Sequence, residues 1–309
     1  MIKIIKKLYS VSMIPEVTIK RIFYSLPILQ RFNKNKTKNS NNVAKKKIDK
    51  EILFLQIKKM NINKGDLLIV HSSMDSLRHF DITPKELIDF LIELIGKTGT
   101  LAMPAFPIYK TDILNDNKIE HLYDTRIKLC STGILPNIFL RYPKVVRSKF
   151  PYNSLAALGP LANEMMQNNL NSDLAFGKES SWYFCKEKEA KILLLGVPSN
   201  HTTTMVHVAE DYLNDSWPIK NWYLTKKISI RDGQNIFSKT IRIRDQFWSR
   251  YNASYYRTKC FKNEGLLSEW EYEGVIFGVI GNSSKLVDFI INRALTNKLF
   301  FKIPQRYYK

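Results

Sequence analysis

Cysteine is scarce: Cys130, Cys185 and Cys260 are an odd number at wide spacings in 309 residues. They signal neither a disulfide framework nor a CxxC metal or redox site, and are expected to be buried or inert. The five histidines show neither HxxxH nor HxH spacing, so no metal centre is expected. No run approaches the roughly 18 uninterrupted apolar residues that a membrane span needs. The N-terminus has the basic start of a signal peptide, but Glu16, Lys20 and Arg21 break its apolar region and no small-residue cleavage pattern follows. The expected location is therefore the cytoplasm. Acids are also few, 28 against 48 Lys and Arg, for a net charge of +20. Residues 1–50 hold 13 Lys or Arg against two acids, a net +11, so the other 259 carry only +9. Part of this excess reads as an Asn-Lys-Ile compositional bias, as in Asn33-Lys34-Asn35-Lys36. The remainder favours anionic partners: coenzyme A phosphates, nucleotide sugars, lipid headgroups or nucleic acid. Nucleic acid is disfavoured, because the basic residues are scattered through a linker rather than interleaved with aromatics on one element, and no recognition motif is present.

What is present is a chain with 44% hydrophobic residues, long enough to bury a substantial core. Residues 1–32 put Ile4, Ile5, Leu8 and Val11 at helical spacing between lysines, with Pro15 and Pro27 interrupting. This reads as a basic amphipathic extension: either a peripheral anchor on the anionic inner membrane surface or helices packed on the domain. A polar linker follows to residue 48, then a domain over 49–292 and a basic-aromatic tail over 293–309. Apolar strand-like runs at 67–70, 100–103, 192–197 and 275–280 alternate with helical stretches such as 83–95. The expected fold is α/β, a central mixed sheet flanked by helices.

Two strand-to-loop junctions carry chemistry. Strand 66–70 runs into His71-Ser72-Ser73-Met74, a hydroxyl-rich turn suited to phosphate or pantetheine, or simply a turn with a structural histidine. Strand 191–197 runs into Pro198-Ser199-Asn200-His201-Thr202-Thr203-Thr204, then a helix from about Met205, which a threonine is placed to cap. On that helix His207 and Glu210 share a face in the first turns beyond the strand's C-terminal end. Acyl transfer to an amine needs a base, and an imidazole oriented by a carboxylate has the right pKa. Thr203 and Thr204 are candidates to polarise the acyl carbonyl or, equally, to cap the helix. In isolation, HxxE is an ordinary surface pair.

The wider pattern resembles the aminoglycoside 3-N-acetyltransferase family. The resemblance runs through Gly65-Asp66, His71-Ser72-Ser73-Met74, Gly99 to Phe106, Ser131-Thr132-Gly133-Ile134-Leu135-Pro136, Arg147-Ser148, Ser154 to Pro160, Phe176-Gly177 and His207-Val208-Ala209-Glu210, covering roughly 52–292. It implies an acetyl-CoA-dependent N-acetyltransferase working by direct transfer, with His207 as general base and Glu210 orienting it. By position, Ser72, Ser73, Met74, Thr132, Gly133, Arg147 and Ser148 become coenzyme contacts. His71, Tyr152, Asn153 and His201 are taken for the acceptor side. Two departures stand out. Phe150-Pro151-Tyr152-Asn153-Ser154 replaces the family's common His-Pro-Thr-His-Ser, and Asn137 follows Leu135-Pro136 where an acid is usual. A chain at +20 repels a polycationic aminoglycoside at long range. The expected acceptor is thus an anionic amino-sugar precursor of surface-glycan biosynthesis, with the aminoglycoside of antibiotic resistance as the alternative.

Overall fold

The computed structural model describes residues 8–26, 47–109 and 121–309. Most of the 33–48 linker, the start of the amphipathic extension and Pro27 lie outside them.

Seven strands form one mixed sheet in the order β4-β5-β2-β1-β6-β10-β9. Its centre is parallel, with β1 (Leu67–Ser72) between β2 (Thr100–Pro104) and β6 (Lys191–Leu195). The flanks are antiparallel: β5 (Leu155–Leu158) on β2, β4 (Val146–Arg147) on β5, β10 (Val275–Ile280) on β6 and β9 (Ser268–Tyr272) on β10. The expected α/β architecture is present.

The central strands are continuous apolar runs because both of their faces are covered. Side chains alternate across the pleat. Leu67, Ile69, Ile192 and Leu194 point to one core with the helices Val206–Leu213 and Ser283–Leu295. Leu68, Val70, Leu193 and Leu195 point to a second core with the helices Lys50–Lys58, Pro84–Ile95 and Ile134–Phe139. The helix Pro84–Ile95 carries a capping box, Thr83 with Glu86, and Pro84 in its first turn. Cys130 and Cys185 are buried and Cys260 half-buried, all three unpaired.

A second, three-stranded sheet joins β3 (His121–Asp124) to the long hairpin of β7 (Tyr223–Asp232) and β8 (Asn235–Arg244). Beside it Trp217, Trp222, Trp248, Tyr251, Phe301 and Val17 form a third core. The C-terminal residues pack on the domain rather than forming a separate tail: the helix Ser283–Leu295 runs through 292/293, Phe301 and Ile303 are buried in this core, and Phe300 is buried in the first. Their aromatic character comes from packing.

The N-terminal helix Met13–Ser25 also docks here. Pro15 does not interrupt it, because in the first turn a missing N–H leaves no intrahelical bond unmade. Its Glu16 is 1% exposed and accepts from Ser254 N (2.9 Å), Ser254 Oγ (2.8 Å) and Tyr255 N (3.0 Å). Lys20 pairs with Glu16 at 2.6 Å and donates to the Asn252 carbonyl at 2.7 Å. The helix Ser254–Asn263 begins after Ala253, which has no capping side chain, so Glu16 supplies that acceptor from far away in the chain.

Breaking this buried arrangement should be costly. Glu16→Ala is expected to destabilise the protein by about 3–5 kcal/mol, since it strands Lys20 and two backbone donors; the denaturant midpoint reads it. Gly159 has φ +134, and a Cβ there would sit 2.4 Å from the Gly99 carbonyl oxygen. Gly159→Ala should therefore cost about 2–4 kcal/mol, from backbone strain and overpacking together, with the same assay as readout.

Candidate active site

After β6 the chain passes through a short helix, Ser199–Thr202, before the helix Val206–Leu213. No threonine caps the second helix; its N-cap is Met205. Thr202 and Thr203 instead donate back to the carbonyls of Pro198 (2.8 Å) and Ser199 (2.6 Å), four residues earlier, and Thr204 reaches only the Thr202 carbonyl at 3.4 Å. The expected cap fails because those hydroxyls already serve the preceding turn.

The pairing read from sequence is present. His207 Nδ1 lies 2.8 Å from Glu210 Oε2, with Glu210 almost fully buried and the His207 side chain about one quarter exposed. A carboxylate accepting from Nδ1–H fixes the tautomer that keeps the Nε2 lone pair free. Burial pushes the imidazole pKa below its ordinary 6.5; Glu210 pulls it up, and Arg244 and Arg257 push it down again. The outcome is a neutral ring at pH 7. Burial would raise the Glu210 carboxyl, but His207, Arg244 and Arg257 together outweigh it and hold the group below its usual range, ionised.

His207 opens on two cavities. One, of about 310 Å³, is walled by Tyr152, Asn153, Phe176, Asp211, Arg242 and Arg244. Asn153 adopts φ +48, and its carbonyl accepts from Trp182 Nε1 at 2.7 Å. Phe176 packs 5.2 Å from the His207 ring and 5.6 Å from Trp182. Asp211, fully inside, accepts from Phe176 N and Tyr223 OH, both at 2.9 Å, and burial raises its pKa to about 7. The second cavity, of about 250 Å³, is walled by Lys20, Asn200, Thr204, Arg244 and Arg257.

A third cavity, of about 420 Å³, gathers His71, Ser72, Thr132 and Gly133 with the apolar Val70, Pro104, Phe106, Pro136 and Val197. Thr204 lines both this cavity and the second, so it sits where the two meet. His71 falls here rather than beside Tyr152 and Asn153. Its ring is buried, Nε2 has no hydrogen-bond partner, and burial lowers its pKa to about 4, so it is neutral. Gly133 takes φ +109 with open space where a side chain would project.

Other residues from the sequence reading have structural partners. Ser73 caps the helix Met74–Leu77, and Met74 packs on the second core. Arg147 donates to the carbonyls of Ala105, Ile127 and Leu129. Ser148 is buried and accepts from Phe150 N. None of these four lines any of the three cavities. The His201 side chain lies outside the described residues. Among the described residues no group of three or more His, Cys, Asp or Glu is placed to hold a metal.

Sequence reasoning missed Arg244, Arg257, Asn200, Asp211 and Lys20. A signal existed for one of them: Ile241-Arg242-Ile243-Arg244 alternates, which puts both arginines on one face of β8.

Comparison with known proteins bears on this geometry. Curated relatives include aminoglycoside N(3)-acetyltransferase IX of Micromonospora chalcea, 29% identical over 163 residues, 49% of this chain and 57% of the relative. Aminoglycoside N(3)-acetyltransferase IV of Salmonella sp is 31% identical over 158 residues, 51% of this chain and 57% of the relative. The chain thus spans just over half the length of these two relatives. Among solved structures, AAC-IIIb in binary complex with CoASH superposes with a TM-score of 0.69 at 18% identity, covering 84% of this chain and 99% of that one. A mutant of aminoglycoside acetyltransferase AAC(3)-IVa in complex with gentamicin gives 0.68 at 23% identity, covering 86% and 95%. Residues 69–283 match the family described as aminoglycoside 3-N-acetyltransferase, well over half of the chain, and the protein belongs to that family.

Proposed function

We propose that the protein is an acetyl-CoA-dependent N-acetyltransferase that acetylates a primary amine of an amino-sugar acceptor, with His207 as general base. The observation that carries this reading is the 2.8 Å His207–Glu210 pair at the rim of two cavities, one joined through Thr204 to a third. The third cavity suits a pantetheine arm. It is mostly apolar, lined by Ser72 and Thr132 and by His71, whose Nε2 is orphaned. Relatives support the donor, since one solved neighbour is a complex with CoASH.

When bound, acetyl-CoA supplies a thioester, the electrophile that an amine attacks. The chain's own residues do the rest. His207 Nε2 removes the proton the amine carries as its nitrogen forms the new bond to the acetyl carbon; the carbon–sulfur bond then breaks, and the departing thiolate takes that proton back from the imidazolium to leave as the free thiol. Glu210 stabilises the imidazolium as that proton arrives, without itself accepting it. Thr204, which lines both cavities, stabilises negative charge on the carbonyl oxygen through its hydroxyl in this reading. Thr203, buried and donating to Ser199, has a positioning role. For the acceptor, the relatives' names favour an aminoglycoside over a surface-glycan precursor. Tyr152 and Asn153 line the wall that would receive it.

Membrane association is a separate proposal. Ile19 and Ile22 are half exposed on the helix Met13–Ser25, Leu8 and Val11 more so, within a segment of net +11. Replacing Ile19 and Ile22 by Asp is expected to release the protein from anionic vesicles in a sedimentation assay; unchanged sedimentation rejects peripheral contact through this helix.

The base assignment has two tests. His207→Ala should lower kcat by about 10²–10⁴-fold while acetyl-CoA binding, measured by calorimetry, persists; near-normal turnover of an aminoglycoside in a thiol-release assay sinks it. In an NMR titration the His207 ring should change charge below pH 6.5. Glu210→Gln should lower that midpoint further and Arg244→Gln should raise it, because the first removes a charge that favours the imidazolium and the second one that opposes it.

A further inference from the structure

The second cavity beside His207 carries a charge that its own protein partners leave unbalanced. Among the described residues three cations line it, Lys20, Arg244 and Arg257, and no carboxylate does. Lys20 is matched by Glu16 at 2.6 Å. Arg244 Nη1 stands 3.8 Å from Glu210 Oε1, but that carboxylate already holds His207. Arg257 is only 6% exposed, and among the described residues it makes no salt bridge. Its two hydrogen bonds, to Asn252 Oδ1 and the Asn200 carbonyl, are both 3.4 Å long, and its Nε has no partner. The Nδ2 of Asn200, also more than nine-tenths buried, is a second unpartnered donor, and Arg244 Nη1 is a third.

Unsatisfied donors cost free energy in a closed core, and an unpaired buried guanidinium costs more. Guanidinium stays charged under these conditions, so deprotonation gives no relief. Because their residues border a cavity, the same set favours an anion with several acceptor oxygens there. Arginine forks and an amide N–H₂ match the oxygens of a phosphate ester, and the low local dielectric strengthens each bond.

We infer that Arg257, Arg244, Lys20 and Asn200 bind a phosphate group carried by the acceptor, so that the amine presented to His207 belongs to a phosphorylated amino sugar. This rests on the proposed acetyltransfer at His207. His207 lines both the phosphate cavity and the cavity of Tyr152 and Asn153. A sugar seated in one therefore reaches the base while its phosphate occupies the other. Coenzyme A also carries phosphates and is the competing source of the same chemistry.

The test uses the full chain. Inorganic phosphate, added as probe in calorimetry, should bind the wild type, and Arg257→Gln should weaken that binding by at least tenfold. Wild-type kcat/KM for glucosamine 6-phosphate or glucosamine 1-phosphate should exceed that for glucosamine at least tenfold. In Arg257→Gln that preference should collapse through a higher KM for the phosphorylated acceptor, with the KM for acetyl-CoA unchanged. Where Arg257→Gln fails to fold, Arg244→Gln, on a more exposed side chain, carries the same comparison. Absence of phosphate binding, or equal use of phosphorylated and plain sugar, overturns the proposal. So does a rise in the KM for acetyl-CoA alone, which would assign the cavity to the coenzyme. Retained turnover in His207→Ala would remove the base assignment while leaving the phosphate measurements standing, so the two failures are distinguishable.

Discussion

A carboxylate shut away from water has to be matched by positive charge or by hydrogen-bond donors, and Glu210 makes that demand at the centre of this molecule. One oxygen is met by His207 at 2.8 Å and the other faces Arg244 at 3.8 Å, with the field of Arg257 behind them. These partners come from three elements: the helix Val206–Leu213, the end of β8 and the helix Ser254–Asn263. They link the hairpin sheet to the main sheet, whose first core also takes Ile228, Ile230, Ile241 and Ile243. The requirement propagates outwards, because the helix bearing Arg257 begins at an uncapped Ala253 and depends on a second buried carboxylate, Glu16, from the N-terminal helix. Two sealed acids thus tie residues near position 16 to others beyond 250.

The same electrostatics set the chemistry. A histidine used as a base must be neutral before it acts and must tolerate charge afterwards. Burial and the two arginines provide the first condition, and Glu210 provides the second. With Glu210 ionised and Asp211 shifted to about 7, the walls around His207 present few free negative charges at neutral pH.

The parts of the fold governed by local pattern were legible in the sequence. Both-face burial makes β1, β2 and β6 read as apolar runs, and Thr83-Pro84 with Glu86 announces a helix start. His207 and Glu210 were legible because their spacing is that of one helical face. Partners set by tertiary contact were not. Nothing near Ala253 says that Glu16 will cap its helix, and the second sheet joins β3 to β7 across about a hundred residues. The C-terminus reads as a basic-aromatic tail, since Phe and Tyr serve surfaces and cores alike, and the structure packs it. Ser73, Arg147 and Ser148 look like coenzyme contacts by position, yet Ser73 and Ser148 are occupied by backbone groups of their own loops and Arg147 by the carbonyls of Ala105, Ile127 and Leu129.

The two departures from the family pattern have different physical standing. Asn137 is explained by its hydrogen bonds: Oδ1 accepts from Cys130 N at 2.9 Å, while Nδ2 donates to the carbonyls of Cys130 and Gly133 at 2.9 and 2.7 Å. A carboxylate has no donor for those two carbonyls, so the amide holds the Gly133 turn in its own way. Tyr152 and Asn153 lie on the wall facing His207, where the backbone of Asn153 is fixed by Trp182. A change at 137 is absorbed within the loop that frames the third cavity. A change at 152–153 alters what the base can be offered, and it does so next to Arg242 and Arg244. Of the two changes, only the one at 152–153 falls on a cavity that His207 also lines.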